Sequence, residues 1–302
     1  MSTSQNIINN FINNFNKMKI YQQIKLNNLE SDNLDFVHKI DKDKLDIIEL
    51  FRKNIKEKKI ELENYNNKHD GKEGHWLEKQ MNIIHNSKNE PDINGYEMKK
   101  DSKKITFGDF SASEYLFSKD KKNINEKNEW DTNLVNITKD QFIKFFGTQK
   151  PLKHNRYSWS GNCIPTYNNW NTCGQKLTIT NENDICIFYS YSKDKRDDIK
   201  IKFPNYLKKE NILIVIWKNN KMRDHINNKF NNKGFFIIKK KLDIYNKICF
   251  GKPFNYDTFI DGIKKLIIIF DSGMYVGNNR NYSQFRSSNS KFWDNLIIEE
   301  YN

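Results

Sequence analysis

Residues 90–99 have the sequence EPDINGYEMK, in which two acidic side chains and a lysine are spaced around a glycine. Gly95 can turn the chain, and the residues that follow it can begin a β-strand. Because side chains alternate across a strand, Glu97 and Lys99 are expected on one face. Asp92 lies just across the turn and can reach the same side. The stretch therefore predicts two carboxylates and one amine that converge at a single point.

The spacing Asp-x4-Glu-x-Lys suits the hydrolysis of phosphodiester bonds. Carboxylate oxygens are hard ligands for Mg²⁺, and the metal polarises the scissile phosphate and lowers the pKa of a bound water. The lysine can orient or deprotonate that water and offset developing negative charge. In a chain with 51 Lys and Arg and 38 Asp and Glu, the pattern by itself also fits a solvated surface.

A second acidic motif lies just upstream, where residues 71–81 have the sequence GKEGHWLEKQM. Leu77 and Met81 are four residues apart, which predicts a helix whose apolar face meets the core. Glu78 lies on the flank of that helix and could reach the metal cluster as a further acid; the alternative is an exposed helix glutamate. His75 lacks companions for a zinc site, so we favour contact with water or a DNA phosphate.

The formal net charge of +13 predicts a polyanionic partner, either nucleic acid or an anionic membrane surface. The abundance of Asn, Lys and Ile that an AT-rich genome produces could also raise the lysine count without any binding role. No apolar run approaches the roughly 20 residues needed to cross a bilayer, and the first residues are polar, which favours a soluble, cytoplasmic protein. The four cysteines form no C-x-x-C pair and are interpreted as packing residues in a reducing compartment.

The hydrophobic pattern predicts a helical N-terminal extension, followed by an α/β domain with a mixed β-sheet flanked by helices. The extension covers residues 1–68 and includes an amphipathic helix over residues 45–62, and the domain covers residues 69–302. The run at 211–217 is continuously apolar, as is typical of a buried central strand. Further strands are predicted at 184–191, 234–238 and 266–270, and helices at 138–146, 220–231 and 255–264.

Residues 278–286, NNRNYSQFR, combine planar hydrogen-bonding side chains with two aromatic rings. Arginine pairs with O6 and N7 of guanine, while Asn and Gln suit adenine. We therefore predict that Arg280, Gln284 and Arg286 contact DNA bases; a surface loop shaped only by composition is the alternative. Two further segments are predicted to contact DNA, and they carry His154 with Arg156 and Arg223 with His225.

The segments 74–83 (GHWLEKQMNI) and 86–99 (NSKNEPDINGYEMK) resemble the active-site region of the MvaI/BcnI group of type II restriction endonucleases. That group is related to the mismatch-repair nicking enzyme MutH, within the PD-(D/E)xK nuclease superfamily. Downstream segments resemble LlaMI-like members in the same order. They are residues 167–177, 187–196, 270–275, 280–286 and 292–293.

The resemblance implies a MutH-like nuclease core with a catalytic lobe and a recognition lobe within residues 69–302. Asp92 and Glu97 match the acidic positions of the motif and are expected to hold Mg²⁺. Lys99 is expected to orient or deprotonate the attacking water. Glu78 is expected to assist at the metal site. The implied activity is cleavage of double-stranded DNA at a short CCNGG-like site by a monomer, with a cognate methyltransferase as functional partner. The alternatives are a MutH-like repair nickase and a non-catalytic DNA-binding protein.

Overall fold

The structure is a computed structural model, and it describes residues 41–59, 71–84, 89–118 and 137–302. Most of the predicted extension, residues 1–40 and 60–68, lies outside the described residues. The helices are α1 (Lys42–Asn54), α2 (Lys72–Gln80), α3 (Lys139–Phe146), α4 (Asp197–Lys200), α5 (Asn219–Phe230), α6 (Tyr256–Lys264) and α7 (Lys291–Asp294). None of the helices in this part of the chain is both long and apolar enough to cross a membrane.

The strands form a mixed α/β fold, as the sequence predicts, but they are divided among four small sheets. They are β1 (Glu97–Lys100), β2 (Thr106–Asp109), β3 (Glu114–Tyr115), β4 (Thr148–Lys150), β5 (Arg156–Trp159), β6 (Cys173–Ile179), β7 (Ile185–Asp194), β8 (Ile212–Trp217), β9 (Phe235–Lys241), β10 (Ile244–Gly251), β11 (Ile268–Ser272), β12 (Met274–Tyr275), β13 (Ser283–Ser287) and β14 (Ile297–Tyr301).

The sheet that carries the Asp-x4-Glu-x-Lys motif has the order β1-β9-β10-β14. Strand β1 runs parallel to β9, and the other two pairings are antiparallel, so the sheet is mixed. The other sheets have the orders β3-β8-β7-β6, β11-β13-β2 and β12-β5-β4. Strand β8, the predicted central strand, is an interior strand whose six residues are all buried.

Two large apolar cores and one small apolar cluster are buried among the described residues. The larger core is rich in aromatic rings, and it includes the fully buried Phe107, Trp217 and Trp293. The smaller core lies between the β1 sheet and the helices α1 and α2, and it includes Phe51, which is 0% exposed, and Met98. Helix α1 therefore shares a core with the strand that carries the motif.

Local sequence signals explain where several helices begin and end. Thr138 and Gln141 form a reciprocal capping box at the start of α3, and Asn255 caps α6 through the N–H of Thr258. The helix predicted over residues 45–62 already ends at Asn54. Its end has a structural cause, because Glu57 has a positive φ of 62° and donates its N–H to the carbonyl of Tyr245 in β10 at 2.7 Å.

The interpretation of all four cysteines as unpaired packing residues is wrong for two of them. Cys163 and Cys173 are joined by a disulfide, with their Cα atoms 5.3 Å apart. The short turn at Gly161–Cys163 meets the start of β6, which brings the two sulfurs together. Cys186 and Cys249 are buried and form no disulfide within the described part of the chain, which agrees with their interpretation as packing residues.

Candidate active site

The turn before β1 fixes the position of Asp92. Asn94 and Gly95 have positive φ values of 51° and 83°, and an antiparallel bridge joins the flanking residues of the turn. A side chain on the glycine would meet Lys233 atoms at 3.3 Å, so both the backbone angle and the available space favour glycine there. The turn places Asp92 Oδ2 2.9 Å from the backbone nitrogen of Met98, which donates to it.

Glu97 and Lys99 lie side by side on one face of β1. Lys99 Nζ donates to Glu97 Oε1 at 2.7 Å, and the two side chains are 12% and 3% exposed. Met98, between them, points into the smaller core. The alternation across the strand thus separates the two charged groups from the apolar side chain.

A second lysine, Lys229, reaches the same carboxylate from the C-terminal end of α5. Its Nζ lies 3.1 Å from Glu97 Oε1, and its side chain is 16% exposed. Lys229 belongs to none of the motifs that the sequence displays. Its neighbours Ile226 and Phe230 are buried on the apolar face of α5, so the helical pattern places Lys229 at the edge of that face without indicating a partner.

Burial and mutual charge set the electrostatics of this cluster. Burial raises the pKa of Glu97, and the ammonium groups of Lys99 and Lys229 oppose that rise. Burial also lowers the pKa of Lys99, and Lys229 lowers it further, while Glu97 and Asp92 oppose the change. Both directions have the same cause, because a low-dielectric site disfavours the charged form of each group.

One atom of the cluster lacks a partner. Glu97 Oε2 is buried, and no donor among the described residues lies within hydrogen-bonding distance of it. A buried acceptor without a partner is unfavourable unless something else satisfies it. A divalent cation bound to this oxygen would do so.

The donor set fits a magnesium ion. Mg²⁺ is commonly held by one or two carboxylates, with waters and substrate phosphates completing its coordination. Asp92 and Glu97 supply those two carboxylates. Over the described ranges there is no group of three or more His, Cys, Asp or Glu residues that could hold a metal. A cation at Asp92 and Glu97 would therefore depend on water and on the DNA for its remaining ligands.

Glu78, the predicted assisting acid, lies on α2, which contacts β1 and buries Trp76 and Leu77 in the smaller core. Its Oε2 lies 3.3 Å from His75 Nδ1, and its side chain is 32% exposed. The helix predicted for this segment is present. The role of Glu78 near a metal stays a prediction.

Three of the predicted DNA-contacting residues line one cavity of about 430 Å³. They are Arg156, Gln284 and Arg286, and Asp271 lies in the same wall. The Arg286 guanidinium donates to Gln284 Oε1, and its Nε lies 3.0 Å from Asp271 Oδ2. The guanidinium group of Arg286 in the cavity wall is thus oriented by two acceptors, Gln284 and Asp271.

The other predicted DNA-contacting residues are distributed over three surfaces. Arg280 is 65% exposed, forms an ion pair with Asp109 at 3.1 Å and stacks on Tyr282. His154 is exposed at the tip of the β4–β5 hairpin, and the adjacent Arg156 stacks on Tyr275 at 3.6 Å.

Arg223 and His225 lie on α5, which also carries Lys229, and neither is among the residues that line the cavity. Arg223 pairs with Asp257 at 3.0 Å. His225 stacks on Phe110, and burial lowers the pKa of His225. Its carbonyl accepts the side-chain amide of Asn89 at 2.8 Å, which ties α5 to the segment that leads into Asp92.

A mixed sheet flanked by helices, with the Asp-x4-Glu-x-Lys strand at its edge, is the fold expected of a PD-(D/E)xK nuclease core. The model of the LlaMI restriction endonuclease family matches residues 55–301. A type II restriction enzyme, ScrFI from Lactococcus lactis subsp. cremoris, is 36% identical over 266 residues, which cover 84% of this chain and 96% of that protein.

The chain therefore belongs to the LlaMI restriction endonuclease family, and it is a type II restriction endonuclease, an enzyme class that acts on double-stranded DNA. Among solved structures, the complex of the restriction endonuclease MvaI with its cognate DNA superposes with a TM-score of 0.51. It is 14% identical in sequence, and the match covers 85% of this chain and 95% of that chain, so it supports the fold alone. The predicted family, fold class and enzyme class are confirmed.

Proposed function

We propose that this enzyme hydrolyses phosphodiester bonds of double-stranded DNA at a short CCNGG-like site, with Mg²⁺ held by Asp92 and Glu97. The observation that carries the proposal is the buried Glu97 Oε2 without a partner, next to Asp92 and two lysines. A purely structural ion pair would leave no reason for a buried, unsatisfied carboxylate oxygen.

The chain's own groups have distinct roles in this proposal. The N–H of Met98 orients Asp92, which keeps its other oxygen available as a ligand. When bound, the metal supplies Lewis-acid polarisation of the scissile phosphate and a more acidic water. Burial lowers the pKa of Lys99, which favours the neutral amine that can accept a proton from the attacking water. Lys229 places a second ammonium where negative charge develops on the phosphate.

Sequence recognition is assigned to the cavity and its surroundings. Arg156 and Arg286 offer forked donors that suit guanine O6 and N7, which a G·C-rich site presents in the major groove. Gln284 holds Arg286 in place and can also face a base. Arg280 is assigned to base contact at the rim of this surface. His154, Arg223 and His225 are assigned to the flanking backbone of the DNA.

Four further features belong to the proposal. The enzyme acts as a monomer in the cytoplasm, and a cognate methyltransferase protects host DNA at the same site. Glu78 assists the metal site from α2. Each is consistent with the implied restriction–modification role and can be tested separately from the chemistry.

The first test is to incubate the pure protein with phage DNA and Mg²⁺ and to sequence the fragment ends. Ends that share one short motif are expected, and addition of a chelator should stop cleavage. Conversion of plasmid to the linear form would exclude a repair nickase, which would leave relaxed circles. A protein that binds DNA but gives no metal-dependent product would instead be a non-catalytic binding protein.

The second test addresses the residues. The Glu97→Ala variant should still bind DNA that carries the recognition site. It should not cleave that DNA, because it lacks a proposed metal ligand. Glu182→Ala, which changes an exposed turn carboxylate, is the matched control and should cut normally. Cleavage by Glu97→Ala at the wild-type rate would remove the proposed centre.

A further inference from the structure

The β4–β5 hairpin ends in a tip that the rest of the fold leaves uncovered. Its five loop residues, 151–155, are all exposed, while Ser158 and Trp159 at its base are buried. Leu152 in this tip is 99% exposed, more than any other large apolar side chain among the described residues. Exposed single apolar residues are common, so the surroundings decide whether this one has a role.

The surroundings of Leu152 are strongly basic. Lys150, Lys153 and Arg156 line the same cavity as the leucine. Lys150 Nζ donates to a carbonyl, that of Ser160, and Arg156 stacks on an aromatic ring. Within the described ranges, no carboxylate forms an ion pair with any of these three side chains. The tip therefore carries uncompensated positive charge, which attracts a polyanion.

The tip is a compact turn on a paired base. Pro151 begins a short 3₁₀ turn, and His154 and Asn155 both have positive φ, at 54° and 57°. Strand β5 pairs on one side with β4 and on the other with β12. A projecting element with this support loses little conformational entropy when it docks.

A second exposed leucine provides a contrast. Leu242 is 86% exposed and lies in the turn between β9 and β10, with a positive φ of 51°. Its neighbours Lys239 and Lys240 are paired with Asp294 at 3.0 Å and Glu73 at 2.9 Å. Two lysines beside that turn are thus neutralised within the fold, unlike those around Leu152.

We propose that the β4–β5 tip enters a groove of the DNA duplex and buries Leu152 against the bases, while Lys150 and Lys153 lie along the flanking phosphates. This inference rests on the proposed function, because it takes duplex DNA as the partner. Apolar side chains inserted into a groove can pack against bases or open a base step. The cavity behind the tip, with Arg286 in its wall, would then face base edges.

The test compares Leu152→Ala with the matched control Leu242→Ala. Binding is measured on a duplex that carries the site found by sequencing fragment ends, with Ca²⁺ in place of Mg²⁺ so that the DNA stays intact. Leu152→Ala should weaken binding about tenfold, the scale expected for exposing a buried leucine. Leu242→Ala should bind as wild type does. Both variants should unfold at the wild-type temperature, since both side chains are exposed.

Salt dependence separates the apolar contact from the charges. Leu152→Ala should leave the slope of log affinity against log salt unchanged, because leucine releases no counterions. Lys153→Ala should reduce that slope by about 0.9, the value for one phosphate contact. A Leu152→Ala protein that binds as tightly as Leu242→Ala would overturn the inference.

Different results would contradict the proposed function and the proposed role of the β4–β5 tip. If wild-type protein neither binds nor cuts duplex DNA, the proposed function itself is wrong. If wild type cuts at a defined site and Leu152→Ala binds and cuts equally well, only the assignment of the tip is wrong.

Discussion

Lys229 Nζ lies 3.1 Å from Glu97 Oε1, the same oxygen that accepts a hydrogen bond from Lys99 Nζ at 2.7 Å. The two lysines come from different elements, α5 and β1, and meet only because the chain folds. With Asp92 nearby, the formal charges of two carboxyl groups and two amines balance one another before any metal binds. A divalent cation added to this balanced site would leave a positive charge that an anionic phosphate and a hydroxide can neutralise.

Replacement of Lys229 should therefore affect chemistry more than DNA binding. Lys229→Met keeps most of the aliphatic packing, and we expect the cleavage rate to fall by about 100-fold or more, the scale of losing one transition-state donor. Affinity for the site in Ca²⁺ should change little. Single-turnover cleavage and equilibrium binding measure the two effects. Lys221→Met, which changes an exposed lysine on the same helix, should cut normally.

The pH profile of the same variant is a second measurement. Lys229 lowers the pKa of Lys99 and of Glu97, so its removal should raise both. Cleavage needs the neutral amine and the ionised carboxylate, and the ascending limb of the rate profile should move to higher pH. A slower enzyme with an unmoved profile would show that Lys229 acts without influencing these two groups.

Local spacing was enough to place part of this site. Alternation along a strand puts Glu97 and Lys99 on one face, and the glycine turn brings Asp92 to β1, as the sequence suggests. Lys229 could not be found in this way, because its partner lies in a remote segment and no short motif contains it. A lysine at the edge of a buried helical face was the only available signal.

In the fold as well, local sequence patterns predict some elements, while contacts between distant segments decide others. Apolar periodicity predicts most of the helices and several buried strands, including β8 and α5, within a few residues, but it does not predict β2 to β6, β10 or β12 to β14. It does not predict which strands pair, and the strands form four sheets rather than one. The early end of α1 also depends on a remote partner, since Glu57 hydrogen-bonds to β10. Contacts between distant segments, not local propensity, decide these features.

Arg286 tests the assignment of the cavity to base recognition. Arg286→Ala should reduce cleavage at the cognate site by about 10- to 100-fold, because a good bidentate contact to a base contributes about 1–3 kcal/mol of discrimination. Arg286→Lys keeps the charge but loses the fork that Asp271 and Gln284 orient. Non-specific binding should thus survive in the lysine variant while discrimination falls. Equal discrimination by wild type and Arg286→Lys on substituted sites would contradict the assignment.

Glu73 provides a pH-dependent contribution to stability. It joins α2 to three strands, because Lys100, Lys240 and Tyr245 donate to its carboxylate at 2.7, 2.9 and 2.7 Å. Burial alone would raise the pKa of Glu73, but these hydrogen bonds outweigh burial and lower it from 4.5 to about 2. Because the pKa of Glu73 is lowered on folding, its ionised carboxylate stabilises the fold at pH values above about 4.5. That contribution is lost as the pH falls from about 4.5 to about 2.

Glu73→Gln should therefore unfold more easily than wild type near neutral pH, by about 1–2 kcal/mol after allowance for solvent screening. The difference should shrink as the pH falls through that window, since the wild-type carboxyl becomes protonated. Denaturant unfolding at several pH values measures this difference in unfolding free energy. Glu182→Gln, at an exposed turn, should show no such trend. A constant difference at all pH values would mean that Glu73 acts through packing rather than charge.

Helix α1 connects the packing of the N-terminal segment to the catalytic strand. Asp41 caps α1 and accepts the hydroxyl of Tyr96 at 2.9 Å, and Tyr96 directly precedes Glu97. Lys233 joins the same start of the helix through Asp41 and Asp43. The family match begins at residue 55, after this helix. We therefore propose that α1 belongs structurally with the nuclease domain rather than with a separate extension.

Phe51→Ala tests this proposal, because its ring is 0% exposed in the core that α1 shares with β1. The variant should lose about 3–5 kcal/mol of unfolding free energy, as expected for truncating a buried phenylalanine. The whole chain should still unfold in one transition when α1 and the nuclease core are a single cooperative unit. Lys53→Ala, on the exposed side of the same helix, should remain as stable as wild type. Early melting of α1 while cleavage activity persists would instead show that the helix folds independently of the catalytic strand.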